Sequence, residues 1–297
     1  MKRGRFAVMF LALIMPVTAG HAQFGGLSGS SQRAAGSPDS YMAAATRFYV
    51  DGEFDLAIES YSQALKIAPK FTEALLGRGL AYKGKGDIDN AIKDFRAIVR
   101  IDPRGKDAYT AHLIQREIFQ MKGDLKSALA ELDRAVAIRP NDGSIYGARG
   151  ALKLAIGDLN GALLDLDKAA ALAPNDSFVF DNRGLARTAK GNLEGAIEDF
   201  SQAMKLNFRQ PSFMVHRGDA KLAKGDTEGA LADYDQALKW DRGYAPGHVQ
   251  RGLLKLAQGQ EAEAQAEFEF ALKLKPSLAK TIDEAKAKIR KDPEVKK

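Results

Sequence analysis

The 297-residue chain has no cysteine, one tryptophan and four histidines, and each shortage removes a class of chemistry. Without cysteine there is no disulfide framework, no thiolate nucleophile and no attachment point for a lipid at a new N-terminal Cys. His21, His112, His216 and His248 show no metal-ligand spacing. Also missing are a Gly-rich phosphate loop ending in Gly-Lys-Ser/Thr and a Gly-x-Ser-x-Gly elbow. No catalytic residue, cofactor or metal is therefore expected, and the chain reads as a non-enzyme. Charge of one sign is scarce as well, with 44 Lys and Arg against 38 Asp and Glu. Three of those cations, Lys2, Arg3 and Arg5, precede an expected cleavage, which leaves 41 against 38 and a net of +3. That balance argues against nucleic acid as a partner.

A long apolar run is the last absence. The stretch from Phe6 to about Met15 falls short of the roughly 20 residues of a membrane-spanning helix. Together with the basic start and the small residues Gly20 and Ala22, it predicts a secretory signal peptide over 1–22, cut before Gln23. An uncleaved anchor is the rival reading. Export to the bacterial periplasm is the expectation, with no stable membrane insertion after cleavage. Residues 23–37 are rich in Gly and Ser and read as a flexible lead-in.

What the chain has in abundance is one pattern repeated. Gly, Ala, an aromatic or Leu, a further small residue and often Pro return about every 34 residues. The second copy has Gly79, Gly86, Ala91, Phe95 and Pro103. The fourth has Gly150, Gly157, Ala162, Leu166, Ala169 and Pro174, and the fifth has Gly184, Gly191, Ala196, Phe200 and Ala203. Seven copies start near 38, 72, 109, 143, 177, 211 and 245. Gly86-Asp87, Gly123-Asp124, Gly157-Asp158, Gly191-Asn192 and Gly225-Asp226 each pair a helix stop with a helix cap, so each copy is predicted to be two helices joined by a turn. Phe208 and Arg242 replace Pro in the fifth and sixth copies. About three extra residues near Lys106 to Ala108 precede the third copy, which has Arg116 where others have Gly. Leu278, Ile282, Ala285 and Ile289 fall on one face of a last helix, expected to cap the array within 279–297.

This pattern resembles the tetratricopeptide (TPR) family over residues 38–278. The resemblance implies an all-α, right-handed superhelical solenoid of about seven helix-turn-helix repeats with a C-terminal capping helix. It also implies a concave groove lined by the first helix of each repeat. By that register the groove residues are Leu76, Leu80, Leu113, Glu117, Asp181, Leu185, Val215, Asp219, Leu222, Val249 and Leu253. The Lys, Asn and Arg clamp by which chaperone-binding members hold a terminal carboxylate has no counterpart here, so an apolar or amphipathic segment is the expected ligand. The alternative is that many of these Leu residues pack between repeats.

A second regularity is a basic ladder: Arg149 with Lys153, Arg183 with Arg187, Arg217 with Lys221, and Arg251 with Lys255. Each pair is four apart and shares a helix face. Asp165, Asp199, Asp233 and Glu267 recur in register on the second helix, while the first copy lacks both partners, having Ala44 and Ser60. Joint presence and joint absence favour internal ion pairs; a positive stripe for an acidic ligand is the other reading.

The chain is thus expected to be an exported, non-catalytic scaffold or adaptor that binds other proteins, envelope or secretion components among them. The alternatives are a self-assembling structural protein, a homo-oligomer, or an accessory subunit that modulates an envelope enzyme. RNA binding is opposed by the export signal and the low mature charge.

Overall fold

The computed structural model describes residues 36–291. The expected signal peptide, all of the lead-in up to residue 35 and the tail 292–297 lie outside the described residues. Among the described residues the structure is all helical, with fifteen α-helices and one short 3-10 turn. None of these helices is long and apolar enough to cross a membrane. The chain divides into two compact units, one ending at Leu152 and the other beginning at Lys153.

The first unit holds α1 (Pro38–Val50), α2 (Phe54–Ile67), α3 (Thr72–Lys85), α4 (Ile88–Ile101), α5 (Lys106–Met121) and α6 (Leu125–Ile138). The unit boundary falls inside α7 (Gly143–Ala155). The second unit continues with α8 (Leu159–Leu172), α9 (Ser177–Ala189), α10 (Leu193–Leu206), α11 (Pro211–Lys224), α12 (Thr227–Trp240), α13 (Ala245–Ala257), α14 (Glu261–Leu274) and α15 (Ala279–Lys291). Paired in order, α1 to α14 make seven helical hairpins.

One turn closes every hairpin. At Gly86 (φ 87°) the chain enters the left-handed region, where a Cβ is strained, and the Gly86 and Asp87 amides bond back to the Lys83 and Tyr82 carbonyls. Asp87 then caps α4 by accepting from the Asn90 amide at 3.2 Å. The same cap recurs at Asp124, Asp158, Asn192 and Asp226.

Within a hairpin the helices close on a small residue facing a large one. A Cβ on Gly218 would lie 2.6 Å from the Tyr234 ring and 3.2 Å from the Ala230 carbonyl; Gly79 and Gly184 face Phe95 and Phe200 in the same way. The residues at the ring register, Tyr61, Phe95, Leu132, Leu166, Phe200, Tyr234 and Phe268, are all buried. Their burial is the main favourable term, about 2 kcal/mol or more for each large side chain. Tyr61, Phe95, Phe200 and Tyr234 also meet the following hairpin, so these hairpins do not complete their cores alone.

Two departures from the repeat show distinct local packing. The third hairpin starts at Lys106 and not near 109, because the extra residues are helical and lengthen α5 to 16 residues. Phe208, at a place usually held by Pro, is half exposed and meets Trp240 edge to face at 5.4 Å. At the C-terminal end, Leu278 and Ile282 are buried against Val249, Phe268 and Ala271, and the charged face of α15 points to solvent.

Candidate protein-binding surface

In the second unit the first helices of three successive hairpins, α9, α11 and α13, form a continuous layer. Its residues of the expected groove separate into two kinds. Leu185, Val215 and Val249 are buried in the hairpin cores, Leu185 with Phe200 and Ala220, Val215 with Tyr234, and Val249 with Phe268. They serve packing and offer little surface to a ligand. Leu222 and Leu253 are half-buried at the edges of those cores. In the first unit Leu76, Leu80, Leu113 and Glu117 are likewise half-buried, and Glu117 meets Lys83 of the preceding hairpin at 2.9 Å.

The polar residues of the α9–α11–α13 layer form two hydrogen-bonded groups, coupled through the charges of His216 and Asp219. Asp181 Oδ1 lies 2.7 Å from His216 Nδ1, linking α9 to α11. Tyr234 donates its hydroxyl to Asp219 Oδ1 at 2.7 Å, and Gln250 on α13 reaches Asp219 Oδ2 at 3.4 Å. Burial pushes the Asp219 carboxyl up to about 6, against the smaller pull of the Tyr234 hydroxyl and the His216 charge. Burial alone would lower His216, but the charge and hydrogen bond of Asp181 outweigh it, and the ring holds its proton more firmly than usual. Tyr244 is raised by burial and by the nearby Asp181 and Asp219 charges. Above pH 6 the network therefore carries a carboxylate beyond the one matched by His216. Such a surface accepts hydrogen bonds or a cationic group next to apolar edges.

The sequence singled out Asp181 and Asp219, gave Tyr234 only a packing role, and left His216 and Gln250 without one. A signal was present: Asp181 and His216 are one repeat and one residue apart, which places them side by side on neighbouring first helices.

The basic ladder is occupied from within. Arg217 grips Asp233 through Nε and Nη2 at 2.9 and 2.6 Å, and Arg183 and Arg78 hold Asp199 and Asp94 in the same two-point manner. The second cation of each pair closes on the same acid: Lys153 on Asp165 at 2.8 Å, Arg187 on Asp199 at 2.9 Å, Lys221 on Asp233 at 2.9 Å, and Lys255 on Glu267 at 3.8 Å. The leading Arg also reaches back to the preceding hairpin. Arg149, Arg183 and Arg251 contact Asp133, Asp167 and Asp235 at 2.7–3.0 Å, and Arg217 contacts the Ser201 hydroxyl at 3.1 Å. These backward contacts, 16 residues upstream, were not anticipated. The Arg side chains are therefore clamps between hairpins, and a stripe free for an acidic ligand is not what they form. In the third hairpin Gln115 replaces the Arg, and Glu131 takes His112 and Arg134 in its stead.

Among the described residues no group of three His, Asp or Glu is placed to hold a metal ion.

A tetratricopeptide repeat family model matches residues 42–106 and 182–245, and both stretches coincide with the hairpins and left-handed Gly turns described above. The hairpins of those two stretches are similar to tetratricopeptide repeats. A mouse protein, outer dynein arm-docking complex subunit 4, is 32% identical over 103 residues, which is 34% of this chain and 16% of that protein. The heat-shock protein cognate co-chaperone sgt12 of Aspergillus fumigatus is 32% identical over 98 residues, 33% of this chain and 28% of that protein. The chain thus spans less than a third of the length of either relative. A TPR protein of Parabacteroides merdae has the same fold, with a TM-score of 0.64 at 18% identity, covering 85% of this chain and 98% of that one. TPR hairpins generally mediate contacts between proteins, and the scaffold is generally non-catalytic.

Proposed function

We propose that this chain is a non-catalytic adaptor, exported to the cell envelope, that holds a peptide or helix of a partner protein against the α9–α11–α13 layer. The observation that carries the reading is the half-buried Asp219, held by Tyr234 and Gln250 on the helices α11 and α13 that also carry the half-buried Leu222 and Leu253. A carboxylate kept among apolar side chains suits a segment with apolar anchors and a donor or cation between them. Docking-complex and co-chaperone relatives support a role in joining proteins.

Two measurements test it. Mature protein beginning at Gln23 is used to capture partners from envelope extract, in parallel with Asp219→Lys combined with Leu253→Asp, which alters only half-buried positions. A protein held by the first and lost from the second, with helicity unchanged, is the expected result; identical capture profiles exclude this layer as the site. Intact mass of the protein recovered from envelope should begin at Gln23, and retention of Met1 would contradict export by a cleaved signal.

A further inference from the structure

The junction between the first and second hairpins holds an open cleft of about 320 Å³, lined by Pro69, Lys70, Leu75, Ala97, Arg100 and Ile101. Its floor is apolar, with Leu75 buried and Ala97 half-buried, and its rim is basic, with Lys70 and Arg100 both exposed. Neither cation forms an ion pair among the described residues, nor does Arg96, one turn earlier on α4, or Arg104 just beyond that helix. The contrast is with the ladder, where each cation meets a carboxylate. The acids nearest in sequence are engaged locally: Glu73 accepts from the Thr72 hydroxyl at 3.3 Å, and Asp102 from the Arg104 amide at 3.3 Å.

Hairpin packing does not require this charge. At the junction of the second and third hairpins Ala137 holds the place of Arg100, and the hairpins still stack. Two unpaired cations on the lining of one cleft repel each other and gain nothing from the fold. An anionic partner would remove that repulsion.

We propose that this cleft docks an acidic segment of a partner protein, with one apolar side chain seated on Leu75, Ala97 and Ile101 and flanking carboxylates on Lys70 and Arg100. The surface is separate from the groove residues, and two-point attachment by an apolar anchor and charged flanks gives it selectivity that a bare basic patch lacks. Exposed cations make the attachment salt-sensitive.

The test uses the whole mature chain and a fluorescein-labelled peptide, Glu-Asp-Leu-Phe-Asp-Glu, read by anisotropy. Lys70→Glu with Arg100→Glu should weaken binding by about tenfold or more, since two attractive contacts become repulsive. Ala97→Trp, which fills the cleft without changing charge, should weaken it to a similar degree, with the circular dichroism of both variants unchanged. Lys70→Ala and Arg100→Ala, at exposed positions, give partial losses and keep the test valid should the double reversal fail to fold. The proposal is overturned if the unmutated chain does not bind the peptide, if Ala97→Trp binds as well as the unmutated chain, or if a Lys-Lys-Leu-Phe-Lys-Lys peptide binds equally. Binding of phosphatidylglycerol vesicles through Lys70 and Arg100, with no binding of the peptide, also overturns it.

Discussion

Asp219 shows how one residue links stability to the state of the surface. Its carboxyl ionises near 6 in the fold against an ordinary 3.8, so between those values the native state binds more protons than the unfolded chain. Stability contributed by the protonated acid is therefore present below about 4 and lost as pH rises through 6. The raised His216 slopes the same way, its contribution being present below 6.5 and lost as pH climbs through its higher folded value. Asp219→Asn should then stabilise the protein at pH 7 by on the order of 2 kcal/mol and leave it almost unchanged at pH 3.5. Urea unfolding at the two pH values measures the difference; equal effects at both would show that ionisation is not the cause. Gly218, the neighbouring residue, is constrained by space and not by charge. A methyl there meets the Tyr234 ring and the Ala230 carbonyl, backbone that cannot move aside cheaply. Gly218→Ala should cost about 1–3 kcal/mol by the same unfolding measurement.

At the scale of elements, the ion-pair clamps decide how a hairpin is registered against its neighbours. Asp233 is buried and answers to both Arg217 and Lys221, so Asp233→Asn leaves two cations facing a neutral amide. The expected loss is about 3 kcal/mol, because breaking a buried pair costs far more than the pair itself contributes. Arg47 and Asp51 provide the internal comparison, at 84% and 54% side-chain exposure. Asp51→Asn should change stability by less than about 0.5 kcal/mol. Denaturant midpoints of the two variants, measured side by side, check the contrast, and similar losses would mean that burial is not what gives the clamp its weight. The chain has no cysteine and so no disulfide to reinforce these junctions, which leaves the clamps and rings to hold the stacking.

At the scale of the whole molecule, an array of hairpins exposes an unfinished apolar face wherever it stops. In the second unit that face is covered by Leu278 and Ile282, and Ile282 is 2% exposed. Ile282→Asp places an unpaired charge against Phe268 and Ala271 and should cost more than about 3 kcal/mol. It should also bring concentration-dependent association, visible in light scattering, as the terminal hairpin is uncovered. A variant that keeps both its midpoint and its monomer mass would show that α15 is dispensable to the array.

The period of 34, the Gly turns with their Asp or Asn caps and the small-against-large register were legible from sequence because they are local or repeat at fixed offsets. Gly86, Asp87 and Phe95 carry the same information in any one copy as in seven. The pairing of the ladder cations with acids was also legible, since Ala44 and Ser60 vary together. What sequence left open was the outcome of competition for space between helices. Leu185 and Leu253 share a register two repeats apart, yet only the packing of rings and neighbouring helices decides that the first is core and the second half-buried. The same holds for the backward reach of Arg183 to Asp167, for the absorption of three residues into α5, and for the Asp181–His216–Asp219 network. Sequence determined the repeat and its turns because backbone geometry and side-chain size act within a few residues. Burial, pairing and the ionisation of Asp219 were decided by the tertiary structure, because they depend on which atoms of distant hairpins exclude water.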